Sequence, residues 1–311
     1  MSMKNPTDER LAELTNKLEN GIKELYASGR YAEYLRAMSK FHRYSFGNAL
    51  LILFQCPTAT RVAGYTTWKR DFGRNVKHHE KGIQILAPCP TRQYVWQEVT
   101  DPHTGKVLCN PDGSPRMETQ LVTVTRFKVA TVFDVSQTEG KELPALGVIR
   151  LTGDVENFAA IYDKLTALSP VPVEVDICPG EANGYFSSVE NRIVLRPGMS
   201  QIQTVKTLVH EIAHAKLHNT KNIPPEERKQ RREKEVEAES IAYVVCQHFG
   251  IDTSEYSFGY VAGWSRGKEM DELKSSLDQI HSTAGEIIAA LDDTCMTPTH
   301  QQSKSIYQYA R

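Results

Sequence analysis

The chain has 311 residues, 40% hydrophobic and 24% charged, with a formal net charge of −1. That composition suits a soluble globular protein, and the length favours two domains over one. Six cysteines at 56, 89, 109, 178, 246 and 295 form no C-x-x-C pair, which excludes a dense disulfide framework and points to a reducing cytoplasm.

From the N-terminus, Pro6-Thr7-Asp8-Glu9 offers a helix cap, and Leu11, Leu14, Leu18, Ile22 and Leu25 recur at helical spacing, predicting a helix over 7–27. No basic-then-apolar order marks a signal peptide there. A second helix starts near Tyr31 and ends between Met38 and Phe41. A third covers Gly47–Phe54, stopping before Pro57. The longest apolar run, Ala49–Phe54, is far too short to span a membrane. Turn signals follow around Gly64, Gly73 and Gly82. Ile83–Ala87 reads as a strand that ends before Pro88. Tyr94–Val99 and Leu121–Val129 read as a hairpin pair around a turn-rich excursion, with Ala130–Val135 completing a strand. A linker begins at Gly140–Pro144.

Charge is unevenly spread over this half. Between Arg36 and Lys81 stand nine Lys/Arg and two acids, a local net of +7 in a chain of net −1. Such asymmetry predicts a basic face for an anionic partner. Lys40, Arg43, Arg61, Lys69, Arg70, Arg74, Lys77 and Lys81 are the candidate phosphate contacts, interleaved with aromatic residues. Basic groups that track phosphates and rings that stack on bases are the two ingredients of single-strand binding. Tyr44 and Trp68 are the preferred stacking candidates, although core packing is the commoner fate of such rings.

The most informative segment is His210-Glu211-Ile212-Ala213-His214. His-Glu-x-x-His sets two imidazoles one above the other on a helix face, where both can reach one zinc ion. Glu211 can then act as general base on a metal-bound water. No Pro or Gly interrupts 199–222, and apolar neighbours give an amphipathic helix with the ligands on its polar stripe. A catalytic zinc needs a third protein ligand. The metzincin pattern fails, because its Gly and third His positions hold Leu217 and Thr220. The next helix-like stretch carries Glu235 and Glu239 at i and i+4. Glu235 is assigned as ligand and Glu239 as the support that hydrogen-bonds a ligating histidine, with the reverse left open. Glu237 is expected to meet solvent or the basic run 228–232, and His218 to be an ordinary helix-surface residue. Further on, Leu273, Leu277, Ile280, Ala284, Ile287, Ile288 and Leu291 predict a C-terminal helix over 271–292.

Two resemblances attach to these residues. "LVHEIAHAKLH" followed by "EVEAESIAYVVCQHFGI" resembles the ImmA/IrrE class of gluzincin-type metallopeptidases over about 180–262. On that pattern Glu235 takes the ligand position. The upstream "NGYFSSVENRIVLRP" resembles the strand before the motif helix, which implies Tyr185 and Phe186 near the substrate. Over about 8–140 the chain resembles the N-terminal single-stranded-DNA-binding domain of ArdC-type antirestriction proteins. The landmarks are Tyr44-Ser45, Asn48, Gln55, Pro57, Gly64, Trp68, Arg74, Val76, Glu80-Lys81-Gly82-Ile83 and "VFDVSQTEG". One departure is His78-His79, where that family often has Lys-Gly.

The expectation is an α+β protein of two domains, 1–140 and 153–311, joined by a linker over 141–152. It would be a cytoplasmic, single-stranded-DNA-binding antirestriction protein of a mobile element. Its zinc site would be made by His210, His214 and Glu235 with Glu211 as base, acting on a protein substrate. The alternative is an ImmA/IrrE-like regulatory protease that cleaves a repressor, localised by its N-terminal domain. A third reading is a binding module in which zinc only stabilises the fold. The oxyanion-stabilising residue is open among Tyr185, Tyr243 and His248.

Overall fold

A computed structural model describes residues 6–27, 30–102, 104–143, 155–251, 258, 265 and 268–295. Most of the expected linker lies outside the described residues. Helices and strands are mixed: α1 (Pro6–Ala27), α2 (Tyr31–Lys40), α3 (Phe46–Gln55), β1 (Val62–Gly64), α4 (Tyr65–Arg70), β2 (Arg74–Val76), β3 (Ile83–Glu98), β4 (Met117–Asp134) and β5 (Thr138–Gly140) form the first half. The second comprises α5 (Val155–Leu168), β6 (Val173–Val175), β7 (Gly184–Ser187), β8 (Arg192–Leu195), α6 (Gln201–Leu217), α7 (Arg231–His248) and a last helix, α8 (Met270–Cys295). Among the described residues no helix is long and apolar enough to cross a membrane.

The first three helices bury their periodic faces, with Leu14, Leu18, Ile22, Tyr31, Tyr34, Leu35, Met38 and the run Ala49–Ile52 inside. Helix α3 is capped by Ser45, whose side chain accepts from Asn48 N–H. Two amides on α3 then hold the outer edge of β3. Asn48 donates to Leu86 O at 2.9 Å and accepts from Leu86 N–H at 2.8 Å, while Gln55 does the same at Gln84 at 2.8 and 3.0 Å. These bonds give Asn48 and Gln55 a physical role as landmarks.

Strand β3 does not stop at Pro88, contrary to expectation. It runs unbroken to Glu98, paired antiparallel to β4 from Ile83↔Val132 to Glu98↔Met117. β3 is the end strand in the sheet order β1-β4-β3. Backbone groups at 84 and 86 face outward to α3, so Pro88 and Pro90 continue that register on the open edge, where no ladder N–H is lost. The sequence reading also missed α4 and α5.

Asp134 ends β4 and ties it to the rest. It accepts from the backbone N–H of Thr60 (2.8 Å), Arg61 (3.0 Å) and Ser136 (3.0 Å). Burial pushes its carboxyl up, but the bonds from Ser136, Thr60 and Arg61 outweigh this and leave its pKa lowered. The depressed value means the stabilisation is present above the unfolded carboxylate pKa and is lost as pH falls through the folded one. Asp134→Asn should cost about 1–3 kcal/mol at neutral pH. In urea titrations its deficit against the parent chain should shrink only below about pH 4.

His79, at the departure from Lys-Gly, has φ +63°, the left-handed region that favours glycine. His79→Gly should therefore raise stability by a few tenths to about 1 kcal/mol, read as a higher melting temperature.

In the second half β8 is central, parallel to β6 and antiparallel to β7. Gly184 of β7 has no room for a side chain: a Cβ would stand 2.7 Å from Thr207 Cγ2 on α6. This close approach lays β7 along the motif helix.

The two halves share one hydrophobic core, which runs without a break from α1–α3 into α6, α7 and α8. Polar bonds cross it: Tyr31 Oη to Ser240 Oγ (3.0 Å), Arg36 Nε to Tyr243 Oη (3.0 Å) and the His248 ring to Ser39 O (2.9 Å).

Candidate metal centre and nucleic-acid face

Helix α6 begins at the Ser200 cap, whose side chain accepts from Gln203 N–H at 3.2 Å. Its inner face buries Val205, Leu208, Val209, Ile212 and Ala213. The stripe left over carries His210, His214 and His218 one turn apart. His210 Nε2 and His214 Nε2 are 3.0 Å apart, and Glu235 Oε2 of α7 lies 3.6 Å from each. These three residues are the described group whose ligand atoms converge closely enough for a metal ion. Tetrahedral bonds of about 2.0–2.1 Å set neighbouring ligand atoms roughly 3.3 Å apart, so the observed spacing fits a metal with little rearrangement.

Electrostatics agree. The two imidazoles beside it, His210 and His214, hold the Glu235 carboxyl well below the usual carboxylate range. Burial opposes protonation of His210, but Glu235, Glu211 and Glu239 outweigh it and leave its pKa raised. Burial lowers that of His214 in spite of Glu235. Glu211 is buried, and the Phe186 N–H of β7 bonds to its carboxylate. Burial and the Glu235 charge push the Glu211 carboxyl up, against His210 and that N–H. A carboxylate with a raised pKa beside a metal position is suited to taking and returning a proton.

One expectation is corrected here and another is met in one of its two forms. His218 is not a surface residue but is 3% exposed, and Glu237 meets the basic run, as expected, but does so at 0% exposure rather than at solvent. His214 Nδ1 meets His218 Nδ1 at 3.0 Å, and His218 Nε2 meets Glu237 Oε2 at 2.9 Å. Lys229, from the basic run, donates to Glu237 Oε1 at 2.6 Å. If His214 Nε2 is committed to a metal, its proton sits on Nδ1 and is donated to His218, whose own proton goes to Glu237. The pair therefore fixes tautomer and ring plane of a ligand histidine. Continuation of the i, i+4 stripe to 218 was the sequence signal. Glu239 is half-buried one turn beyond Glu235 and acts on His210 through its charge.

Of the oxyanion candidates, Tyr243 is buried with its hydroxyl on Arg36, and His248 is held by Ser39 O and Asp292 Oδ1 (3.1 Å). Tyr243 faces α2, and His248 lies between α2 and α8. Tyr185 remains on β7, half-buried beside Phe186.

The basic candidates divide by their bonds. Lys40, Lys69, Arg70, Lys77 and Lys81 are exposed, and Arg43, Arg61 and Arg74 are half-buried. Arg70 pairs with Asp71 at 2.6 Å, and Arg74 is spent on Thr138 (2.7 Å) and Lys141 O (2.6 Å). Arg74, Lys77 and Lys81 gather around the β2–β5 pair and the turn at Val135–Gln137. Lys40 and Arg43 lie at the end of α2, where Ser39 and His42 meet α7 and α8. Trp68 cannot stack on a base in this arrangement: it is fully buried, and its indole N–H donates to Phe133 O at 2.9 Å. The Tyr44 ring is half-buried, edge-on to Phe41, with its hydroxyl on Val62 O at 2.9 Å.

Comparison with known proteins follows the same division. Residues 4–133 match the family model of the N-terminal domain of anti-restriction factor ArdC, and residues 179–256 match the IrrE N-terminal-like domain of peptidase family M78. A curated relative, the uncharacterized protein pXO2-81 of Bacillus anthracis, is 30% identical over 329 residues, covering 91% of this chain and 51% of its own length. The chain thus spans about half the length of that relative. Crystal structures of the antirestriction protein ArdC from R388 plasmid are also similar. The metal-free form has a TM-score of 0.47 at 18% identity, covering 81% of this chain and 84% of its own. The Mn(II)-bound form has 0.44 at 16%, covering 82% and 86%.

Glu237→Gln and His218→Ala should each weaken metal binding about 10–100-fold, measured by competition with a chromogenic chelator. Unchanged affinity in both would make the pair a packing feature only.

Proposed function

We propose that this chain, which joins a domain of the ArdC N-terminal family to a domain of the IrrE-like peptidase family, is a cytoplasmic antirestriction protein of a mobile element. In this reading it binds single-stranded DNA and carries a zinc-dependent, gluzincin-like peptidase site that acts on a protein substrate. The observation that carries the second part is the convergence of His210, His214 and Glu235 beside the buried Glu211. A His₂Glu donor set is one used by hydrolytic zinc enzymes.

His210 and His214 supply neutral nitrogens and Glu235 one carboxylate oxygen. Glu239 supports His210, while His218 and Glu237 hold His214. When bound, zinc supplies Lewis-acid polarisation of a carbonyl and a water of lowered pKa. Glu211 accepts a proton from water and returns it to the leaving amine, for which its raised pKa suits it. Among the described residues β7 is an end strand of its sheet, and outside the Phe186 N–H taken by Glu211 its edge can receive an extended peptide with Tyr185 and Phe186 close by. Phosphate contacts fall first to Lys40, Lys69, Lys77 and Lys81, whose side chains are exposed, and then to Arg43, Arg61 and Arg70; Arg74 joins them only by leaving Thr138 and Lys141 O.

Glu211→Gln separates this reading from its rivals. The ligands and the basic face stay intact, so metal and single-strand binding should be unchanged while peptide hydrolysis falls by 10²-fold or more. Protection against restriction that survives this change would remove the regulatory-protease reading. A parent chain that holds zinc yet cleaves none of a denatured-proteome peptide library would sink the peptidase part.

A further inference from the structure

The β3–β4 hairpin leaves the body of the protein after its root. Ile83, Ile85 and Val132 are buried, but none of the described residues from Leu86 to Thr131 is. Beyond the root the outer edge of β3 is open. Its register with β4 is unbroken from Ile83 to Glu98, so the parity set at Gln84 and Leu86 holds throughout, and even-numbered residues turn N–H and C=O away from β4. Pro88 and Pro90 have no N–H to offer there. Arg92, Tyr94, Trp96 and Glu98 do, and among the described residues nothing pairs with that edge. Such an edge is a template for a strand from another chain.

The side chains of those four residues share one face. Tyr94 is 73% and Trp96 69% exposed, and Leu121 and Met117 of β4 stand open beside them. Arg92 and Glu98 close the two ends of this apolar patch, and no other charge lies on its face from Pro88 to Glu98 or from Met117 to Phe127. They are six residues apart, about 20 Å, too far to pair within one chain. A neutral face with a contiguous apolar centre fits a protein surface.

Its pattern selects which protein. Tyr94 and Trp96 stand one residue to either side of Val95, and Arg92 and Glu98 stand three to either side. The open edge has the same centre, since it begins after Pro90 and ends with the strand at Glu98. A second copy laid antiparallel along the edge, Val95 against the partner's Val95, therefore meets its complement at each position. Arg92 comes opposite the partner's Glu98 and Tyr94 opposite the partner's Trp96, each twice about a two-fold axis. Even-numbered residues then face even-numbered ones, which lets each opposed pair close both N–H···O bonds. Cross-strand ring pairs and opposite charges both favour this register.

We propose that this chain forms a two-fold dimer by joining the β3 edges of two copies, so that their hairpins make one continuous sheet across the axis.

Sedimentation equilibrium of the full chain over a concentration series should give a mass rising from 35.0 kDa towards twice that. Arg92→Glu sets like charges opposite each other at both ends and should weaken the dimer on the order of ten-fold. Arg92→Glu/Glu98→Arg should restore it, because the exchange keeps opposite charges facing across the axis, while neither residue reaches the other in its own chain. Tyr94→Pro removes an outward N–H that the β3–β4 ladder does not use, as at Pro88 and Pro90. The fold, read by circular dichroism, should be kept while the dimer is lost. A parent chain that stays at 35.0 kDa up to its solubility limit would overturn the proposal. So would a dimer in which the double exchange is no tighter than the single reversal, or one that survives Tyr94→Pro, since its contact would lie elsewhere.

Discussion

The site depends on one buried charge. Glu237 is fully enclosed between the end of α6 and α7, and a carboxylate there is tolerable only if paired. Burial pushes its pKa up, but His218 and Lys229 outweigh that and leave it lowered, so it is held as an anion. His218 is one turn beyond His214, and Glu237 is two residues beyond Glu235. Satisfying the buried pair therefore fixes how far α7 slides along α6, and with it the distance from Glu235 to the two imidazoles. Removing one partner of such a pair costs about 3–5 kcal/mol, far more than a surface ion pair. The proposed metal ligands are thus set by a contact that lies behind them.

This also explains what the sequence could and could not disclose. Glu211 and the histidine pair were legible because i, i+4 spacing on an uninterrupted helix has a chemical meaning by itself. Glu235 was legible from its i, i+4 pairing with Glu239 on the next helix-like stretch and from the family resemblance, since a contact between two helices leaves no spacing to read. The pairing of His218 with Glu237 was hidden for the same reason. A lone histidine near a helix end and one glutamate in a run of charges look like solvated residues until the crossing of α6 and α7 is known.

In the first half the excess of positive charge was visible, but not which cations are free. Arg74 looked like a phosphate contact and is spent on Thr138 and Lys141. Trp68 sat among basic residues and proved to be core, with its N–H turned to Phe133 O. Among the described residues, the exposed rings are Tyr65 on α4 and Tyr94, Trp96 and Phe127 on the β3–β4 hairpin. Pro88 and Pro90 looked like breakers because the open edge of β3, where a missing N–H is harmless, is a property of the sheet rather than of the segment.

The two halves are not independent units joined by a tether. Helix α7 carries Glu235 near its start and, further along, Ser240 and Tyr243, which bond Tyr31 and Arg36 of α2. At its end His248 reaches Ser39. One rigid element therefore holds a proposed metal ligand and the contact with the helices that support β3. A large apolar interface between units opposes their relative motion, and here the core is continuous across it. Separating the halves would uncover Tyr31 of α2 and Tyr243 of α7, both now buried at this contact, at roughly 25 cal/mol for each Å² of apolar surface exposed. An isolated N-terminal half would thus report on a damaged α2 as much as on DNA. The proposed binding and hydrolysis are therefore best measured on the single packed body.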